Sequence, residues 1–144
     1  PVDLVARHGH QIEAAQRLGA TVVEPARSRW DVVFDAVGTE ESLAQSFDMV
    51  KPGGRVVVIG IYWDGGVSMP GFLFGMKEIR LIASMVYGSD AHGRDFDHAA
   101  RILAARPELG PTLITHRFPL DAAIEAFAVA RDRASGSIKV ILEP

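Results

Sequence analysis

The chain has 144 residues, enough for one domain or for part of a larger one. It is 48% hydrophobic and 23% charged, a globular composition, and its net charge of -3 gives no electrostatic case for a nucleic-acid partner. The absence of cysteine excludes a disulfide framework and thiolate metal sites, and no apolar run approaches the ~20 residues of a membrane span. No signal-peptide pattern stands at the start, so a cytoplasmic protein is expected.

The chain opens at Pro1 rather than Met and enters a strand almost at once, a first sign of a front end lying outside it. Val2 to Ala6 reads as a strand and Arg7 to His10 as a loop. Ile12, Ala15 and Leu18 recur at helical spacing over Gln11 to Leu18, and Gly19 stops that helix. Thr21 to Val23 is a short strand. Asp31 to Asp35 is a continuous apolar run, the mark of a strand buried on both faces. Thr39 can cap the next helix, with Glu40 and Glu41 where carboxylates suit the positive end of its dipole. Leu43, Phe47 and Val50 form its apolar face. Lys51 to Gly54 should turn the chain into a second apolar strand, Val56 to Ile59.

Beyond Gly60 the pattern loosens. Tyr62 to Gly75 is a glycine-rich loop with room for one helical turn, and Ile79 to Tyr87 reads as a third long strand. Gly88 to Gly93 is a turn region. Phe96 to Ala105 is helical, Leu113 to His116 a strand, Pro119 the opening of another helix, and Ile138 to Leu142 a last strand. Strands alternating with helices imply an α/β fold with a parallel sheet.

In such sheets ligands bind beyond the carboxyl ends of the strands. Here those ends are Asp35 to Gly38 and Gly60 to Tyr62. Glycine lets a ligand approach the backbone closely, although turns also select glycine without any ligand.

One family carries this order of elements together with the strings AAQRLGA (14–20), DVVFDAVG (31–38), KPGGRVVVIG (51–60), KEIRLIASMVYG (77–88), LITHRFPLDAAIEAF (113–127) and SGSIKVIL (135–142). The chain resembles the C-terminal part of a medium-chain, zinc-dependent alcohol dehydrogenase. The resemblance implies a partial Rossmann-type parallel sheet with flanking helices whose first strand is missing. No GxGxxG occurs in the sequence, and Val2 to Ala6 matches the family's second strand. The family's zinc-bearing catalytic domain has no counterpart either. Residues 1–87 would be an incomplete NAD(P)-binding domain, and 88–144 a segment that in the family packs on the catalytic domain. Strands on either side of the missing one must then pair directly or leave the sheet split. The helices at 96–105 and 120–130 would expose apolar faces unless a partner covers them.

The same resemblance nominates cofactor contacts. The acidic residue that binds the adenine ribose in this pattern falls at Ala6, followed by Arg7 and His8. A 2′-phosphate would be tolerated by Ala6 and paired by Arg7, which favours NADP over NAD. Arg7 could instead be a solvated charge, or stack on adenine. Backbone at Asp35, Ala36, Val37 and Gly38 would lie against the cofactor ribose, while the Asp35 carboxylate could simply bond neighbouring backbone. Ile59, Gly60 and Ile61 would face the nicotinamide ring. Ser84 and Met85 would lie near the ring and the substrate cleft, with Met85 equally suited to the core. Lys139 matches a phosphate-contact position, or is a solvent-facing strand lysine.

No histidine has a partner at metal-ligand spacing, so no catalytic residue and no metal ligand is assigned to this chain. Zinc is expected only in the catalytic domain. The reading that results is the cofactor-binding portion of an NAD(P)-dependent oxidoreductase of small alcohols or aldehydes. The portion itself is inactive, and it assembles as a homo-oligomer through the 79–87 strand edge. Two alternatives stand beside it: an S-adenosylmethionine-dependent methyltransferase-like domain, which also uses a DVVFDAVG-type strand end, and a non-catalytic nucleotide-binding or dimerisation module. Trp30 and Trp63 are expected in loops beside the site, as reporters of occupancy.

Overall fold

A computed structural model describes every residue except Asp64, Met85 and Val86, together with the side chain of Asp90. In chain order the elements are β1 (Asp3–Leu4), α1 (Gly9–Arg17), β2 (Thr21–Val22), β3 (Trp30–Asp35), α2 (Glu40–Met49) and β4 (Val50–Val58). Then come α3 (Gly71–Met76), β5 (Arg80–Ala83), β6 (Ser89–Asp90), β7 (Gly93–Arg94), α4 (Asp95–Ala105) and α5 (Leu109–Leu113). Last are β8 (Ile114–Pro119), a 3-10 turn (Leu120–Ala122), α6 (Ala123–Arg131) and β9 (Lys139–Glu143). Contacts group the chain into two compact units, Pro25–Phe96 and Pro1–Glu24 with Asp97–Pro144. These units interleave along the sequence, whereas the division at residue 87 drawn from the resemblance describes an intact protein.

The first of these units is built on a parallel sheet in the order β3-β4-β5. Val33, Phe34 and Asp35 of β3 stand opposite Val56, Val57 and Val58 of β4, and these opposite Leu81, Ile82 and Ala83 of β5. Helix α2 joins β3 to β4 as a crossover. Its start is a capping box: the Thr39 hydroxyl accepts from the Ser42 N–H at 3.1 Å, and the Ser42 hydroxyl from the Thr39 N–H at 3.0 Å. Leu43 and Phe47 face the sheet, where they are buried with Val33, Val50, Val56 and Ile79. Phe74 stacks on Phe47 at 5.9 Å between ring centres. Removing a fully buried ring such as Phe47 costs about 3–5 kcal/mol. At the far end of α2, the Lys77 ammonium donates to the carbonyls of Phe47, Asp48 and Val50 at 2.8, 2.8 and 2.9 Å. It satisfies acceptors that no further helical turn reaches.

Four expectations for this unit need correction. The sheet is not buried on both faces: Val33 and Asp35 are buried, but the alternate Phe34 is 63% exposed and Ile82 42%. A continuous apolar run cannot tell which of its two faces has a helix to cover it. Lys51 to Gly54 do not end an element. Trp30 already bridges Val50, and the register slips before Val32 meets Arg55, so these residues bulge out of β4 instead. The third strand is short, Arg80–Ala83, because its partner β4 ends at Val58 opposite Ala83. Gly88 to Gly93 holds more than a turn, since β6 and β7 pair there as a two-stranded antiparallel ribbon.

The other unit holds two parallel pairs, β1 with β2 and β8 with β9. The sheet system is therefore split, the second of the two outcomes open from sequence. β1 is shorter than the Val2–Ala6 run because only Asp3 and Leu4 have partners, Thr21 and Val22. The strand expected to start at Leu113 starts at Ile114, since Leu113 ends the short helix α5. Ala14 and Ala15 of α1 and Ala126 of α6 are its buried apolar residues. The Thr115 hydroxyl accepts from the Ile138 N–H at 3.0 Å and locks the start of β9 to β8. Helices α4 and α6 expose apolar side chains as expected: Phe96, Ile102 and Leu103 on one, Ile124 and Phe127 on the other.

Candidate functional site

The register of β3, β4 and β5 brings their carboxyl ends to one end of the sheet, so Gly38, Gly60 and Ser84 follow three adjacent strands. The loops after β3 and β4 touch there. A Cβ on Gly38 would lie 2.6 Å from the Ile61 carbonyl oxygen, and one on Gly60 would lie 2.8 Å from the Gly38 Cα. Gly38 also has φ +78°, a left-handed conformation that suits glycine. Only bare backbone fits at this crossing. Val37, Ile59 and Ile61 flank it with their side chains exposed, an apolar surface at the strand ends. Ser84 hydrogen-bonds through its N–H to the Val58 carbonyl at 2.9 Å, and its side chain is exposed. Met85 lies outside the described residues.

Asp35 organises both loops. Its carbonyl accepts from the N–H groups of Ile59 and Gly60, both at 2.9 Å. Its carboxylate is buried, with Oδ1 accepting from the N–H groups of Val37 at 2.9 Å and Gly38 at 3.2 Å. Oδ2 accepts from the Ser42 hydroxyl at 3.0 Å and the Tyr62 hydroxyl at 2.5 Å. The carboxylate bonds neighbouring backbone and hydroxyls, one of the two roles open to it. Ala36, next along, is exposed. Burial, the Asp35 hydrogen bond and the Asp35 charge together hold the Tyr62 phenol well above its ordinary pKa.

Ser42 and Tyr62 were not legible as part of this cluster. They stand 7 and 27 residues from Asp35, and no periodicity links a loop tyrosine to a strand-end carboxylate. The tryptophans also separate. Trp63 is 84% exposed beside Tyr62, but Trp30 begins β3, at the opposite end of the strand from Asp35. It is therefore no neighbour of this crossing, contrary to expectation.

Ala6, Arg7, His8 and Lys139 belong to the other unit. Ala6 is half-buried just after β1, and Arg7 is exposed, its N–H donating to Gln11 Oε1 at 3.3 Å. His8 precedes α1 and stacks on His10 with ring centres 5.5 Å apart. Lys139 opens β9 with an exposed side chain. An open apolar depression of about 240 Å3 between α6 and β9 is lined by Ala126, Phe127, Ala130, Val140 and Leu142, none of them candidate site residues. Among the described residues no group of three or more His, Asp or Glu is placed to hold a metal ion. Nor is any helix among them long and apolar enough to cross a membrane.

Comparisons with known proteins bear on the same residues. A family model described as zinc-binding dehydrogenase matches residues 2–105. An alcohol dehydrogenase of Cupriavidus necator is 26% identical over 151 aligned positions, covering 94% of this chain and 40% of that protein. L-arabinitol 4-dehydrogenase of Aureobasidium melanogenum is 31% identical, covering 84% of this chain and 30% of that protein. Among solved structures, a putative zinc-binding dehydrogenase from Sinorhizobium meliloti bound to NADP superposes with a TM-score of 0.80 at 24% identity, over 99% of this chain and 45% of that one. The chain thus spans less than half the length of each of these relatives. All are dehydrogenases, and none is a methyltransferase.

Proposed function

The chain belongs to the zinc-binding dehydrogenase family, and from that premise we propose that it is the cofactor-binding portion of an NAD(P)-dependent alcohol or aldehyde oxidoreductase, with NADP favoured. The observation that carries this reading is the backbone crossing at Gly38 and Gly60. It lies where open parallel sheets bind ligands, and there the two loops meet backbone to backbone. The exposed Val37, Ile59 and Ile61 beside it suit a flat, weakly polar ring. Arg7, following Ala6 at the end of β1, suits a 2′-phosphate. Lys139 is the candidate phosphate contact within this stretch, which contains no GxGxxG turn.

When bound, the cofactor supplies or accepts hydride at its nicotinamide ring. Within the three-stranded unit, Gly60 and Ile61 would serve as a platform for that ring, with Ser84 at its border. Zinc and the proton-transfer groups belong, in this reading, to residues outside the stretch. The purified chain therefore binds cofactor but does not oxidise alcohols. Its cellular place is the cytoplasm. The exposed edge of the three-stranded sheet, Arg80–Ala83, is where a second copy would pair.

The test titrates NADPH, NADH and S-adenosylmethionine into the purified chain, following Trp63 emission and energy transfer to the reduced ring. Saturable binding of NADPH, with NADH weaker and S-adenosylmethionine inert, is expected. Binding of S-adenosylmethionine alone, or of none of the three, overturns the reading.

A further inference from the structure

The loop after β4 leaves the sheet at Gly60 and has to present its backbone in one place for a ring to lie on it. Two main-chain bonds hold residues 59 and 60 to the Asp35 carbonyl. Beyond them the chain runs into a glycine-rich segment, and the next anchor is the Tyr62 hydroxyl on Asp35 Oδ2 at 2.5 Å. The other described donors to that carboxylate, Val37, Gly38 and Ser42, all follow β3. Tyr62 alone among them comes from the second loop. Its bond crosses 27 residues of sequence and ties Ile61, the residue before it, to the first loop. Gly38 and Ile61 are already in backbone contact, so the tether sets the height of Ile61 against the crossing.

We infer that Tyr62 is a positioning residue for the nicotinamide ring, its hydroxyl on Asp35 holding the Gly60–Ile61 backbone in the plane the ring rests on. The inference deepens the cofactor-binding reading and rests on it. A carboxylate buried with no cation on it among the described residues is well suited to the task. It must collect hydrogen bonds from whatever surrounds it, and so draws both loops to one point. The hydroxyl is essential to this and the phenyl ring is not, which makes Tyr62→Phe the informative change.

The experiment measures NADPH binding by the purified wild-type chain and by Tyr62→Phe, with melting temperatures for both. Loss of one hydrogen bond to a charged group predicts affinity lowered about tenfold. The emission of bound NADPH at saturation should also move toward that of free cofactor, because the ring no longer lies in a fixed place. Ser42→Ala removes another donor to the same oxygen while leaving the Tyr62 bond to Asp35 in place, and should leave the bound emission unchanged. Equal affinity and emission in wild type and Tyr62→Phe overturn the inference. So does an affinity loss with unaltered bound emission, which marks a merely structural role. Should Tyr62→Phe not fold, wild-type chain carrying 3-fluorotyrosine decides: the Tyr62 fluorine resonance, told from Tyr87 by Tyr87→Phe, shifts on NADPH addition if the inference holds and stays in place if it does not. A wild-type chain that ignores NADPH overturns the cofactor reading itself and this inference with it, an outcome distinct from all the others.

Discussion

Gly38 and Gly60 meet backbone to backbone: a Cβ on Gly60 would stand 2.5 Å from the Gly38 nitrogen. The obstacle is main chain, which cannot swing aside as a side chain does. Gly60→Ala must therefore push one loop off the other. We expect about 2–3 kcal/mol of destabilisation, the upper part of the range for an overpacked core. Gly71→Ala is the control, since nothing lies within 4 Å of its would-be Cβ, and it should stay within about 0.5 kcal/mol of wild type. Urea midpoints of the two variants decide. Equal midpoints would mean that the crossing relaxes freely and is no rigid platform.

The glycine pair also marks how far the sequence could be read. Two apolar runs each ending near glycine, with a helix between, were sufficient to place Gly38 and Gly60 at one end of a parallel pair. The Thr39 cap and the Leu43–Phe47 face were legible for the same reason: each is a local pattern with a local cause. What escaped depends on partners far along the chain. The length of β5 is set by where β4 stops, and the length of β1 by two residues of β2. The exposed face bearing Phe34 has no signature in a run of apolar residues that looks alike on both sides. Tyr62 and Lys77 act across 27 residues or more, on an oxygen in one case and on a helix end in the other.

Lys77 illustrates the cost of such a distant contact. Its ammonium gathers three carbonyls at the C-terminus of α2, a helix with no basic residue in its own last turn. Lys77→Met keeps the stem and removes the donors. Hydrogen bonds to charged groups contribute about 1.5–3 kcal/mol each, and water can replace part of that at this half-buried site, so a loss of about 2 kcal/mol is expected. Denaturant unfolding measures it. A change below about 0.5 kcal/mol would show that solvent satisfies the helix end unaided.

At the other end of α2 the capping box makes a smaller contribution. Thr39→Ala removes the acceptor for the Ser42 N–H and should destabilise the chain by about 1 kcal/mol. Thr39→Ser keeps the oxygen and should recover most of it. The pair separates the cap from side-chain packing, because Thr39 is exposed and has little packing to lose.

The raised Tyr62 pKa sets a direction for stability at high pH. The folded state holds this proton more tightly than the unfolded chain, where the phenol titrates near its ordinary value of about 10. Between that value and the higher folded one, the unfolded state has lost the proton and the folded state has not. Stability from this group is therefore complete below about pH 10 and declines as pH rises beyond it. Urea midpoints taken from pH 8 to pH 11 should fall more steeply for wild type than for Tyr62→Phe. Ionisations common to both proteins cancel in the difference. Parallel curves would mean that the phenol ionises in the folded chain as it does in water.

Arg7 tests the adenosine end of the cofactor reading. Its side chain is exposed, no acidic partner holds it among the described residues, and the residue before it is Ala6 rather than a carboxylate. If the guanidinium pairs a 2′-phosphate, Arg7→Ala should weaken NADPH about tenfold and leave NADH nearly unchanged, since only one of the two carries that phosphate. Calorimetric titration of both cofactors reads the difference. An equal loss for both would put the guanidinium on the adenine ring, a face the two cofactors share. No loss for either would return Arg7 to an ordinary solvated charge, and the preference for NADP would then have to come from another residue.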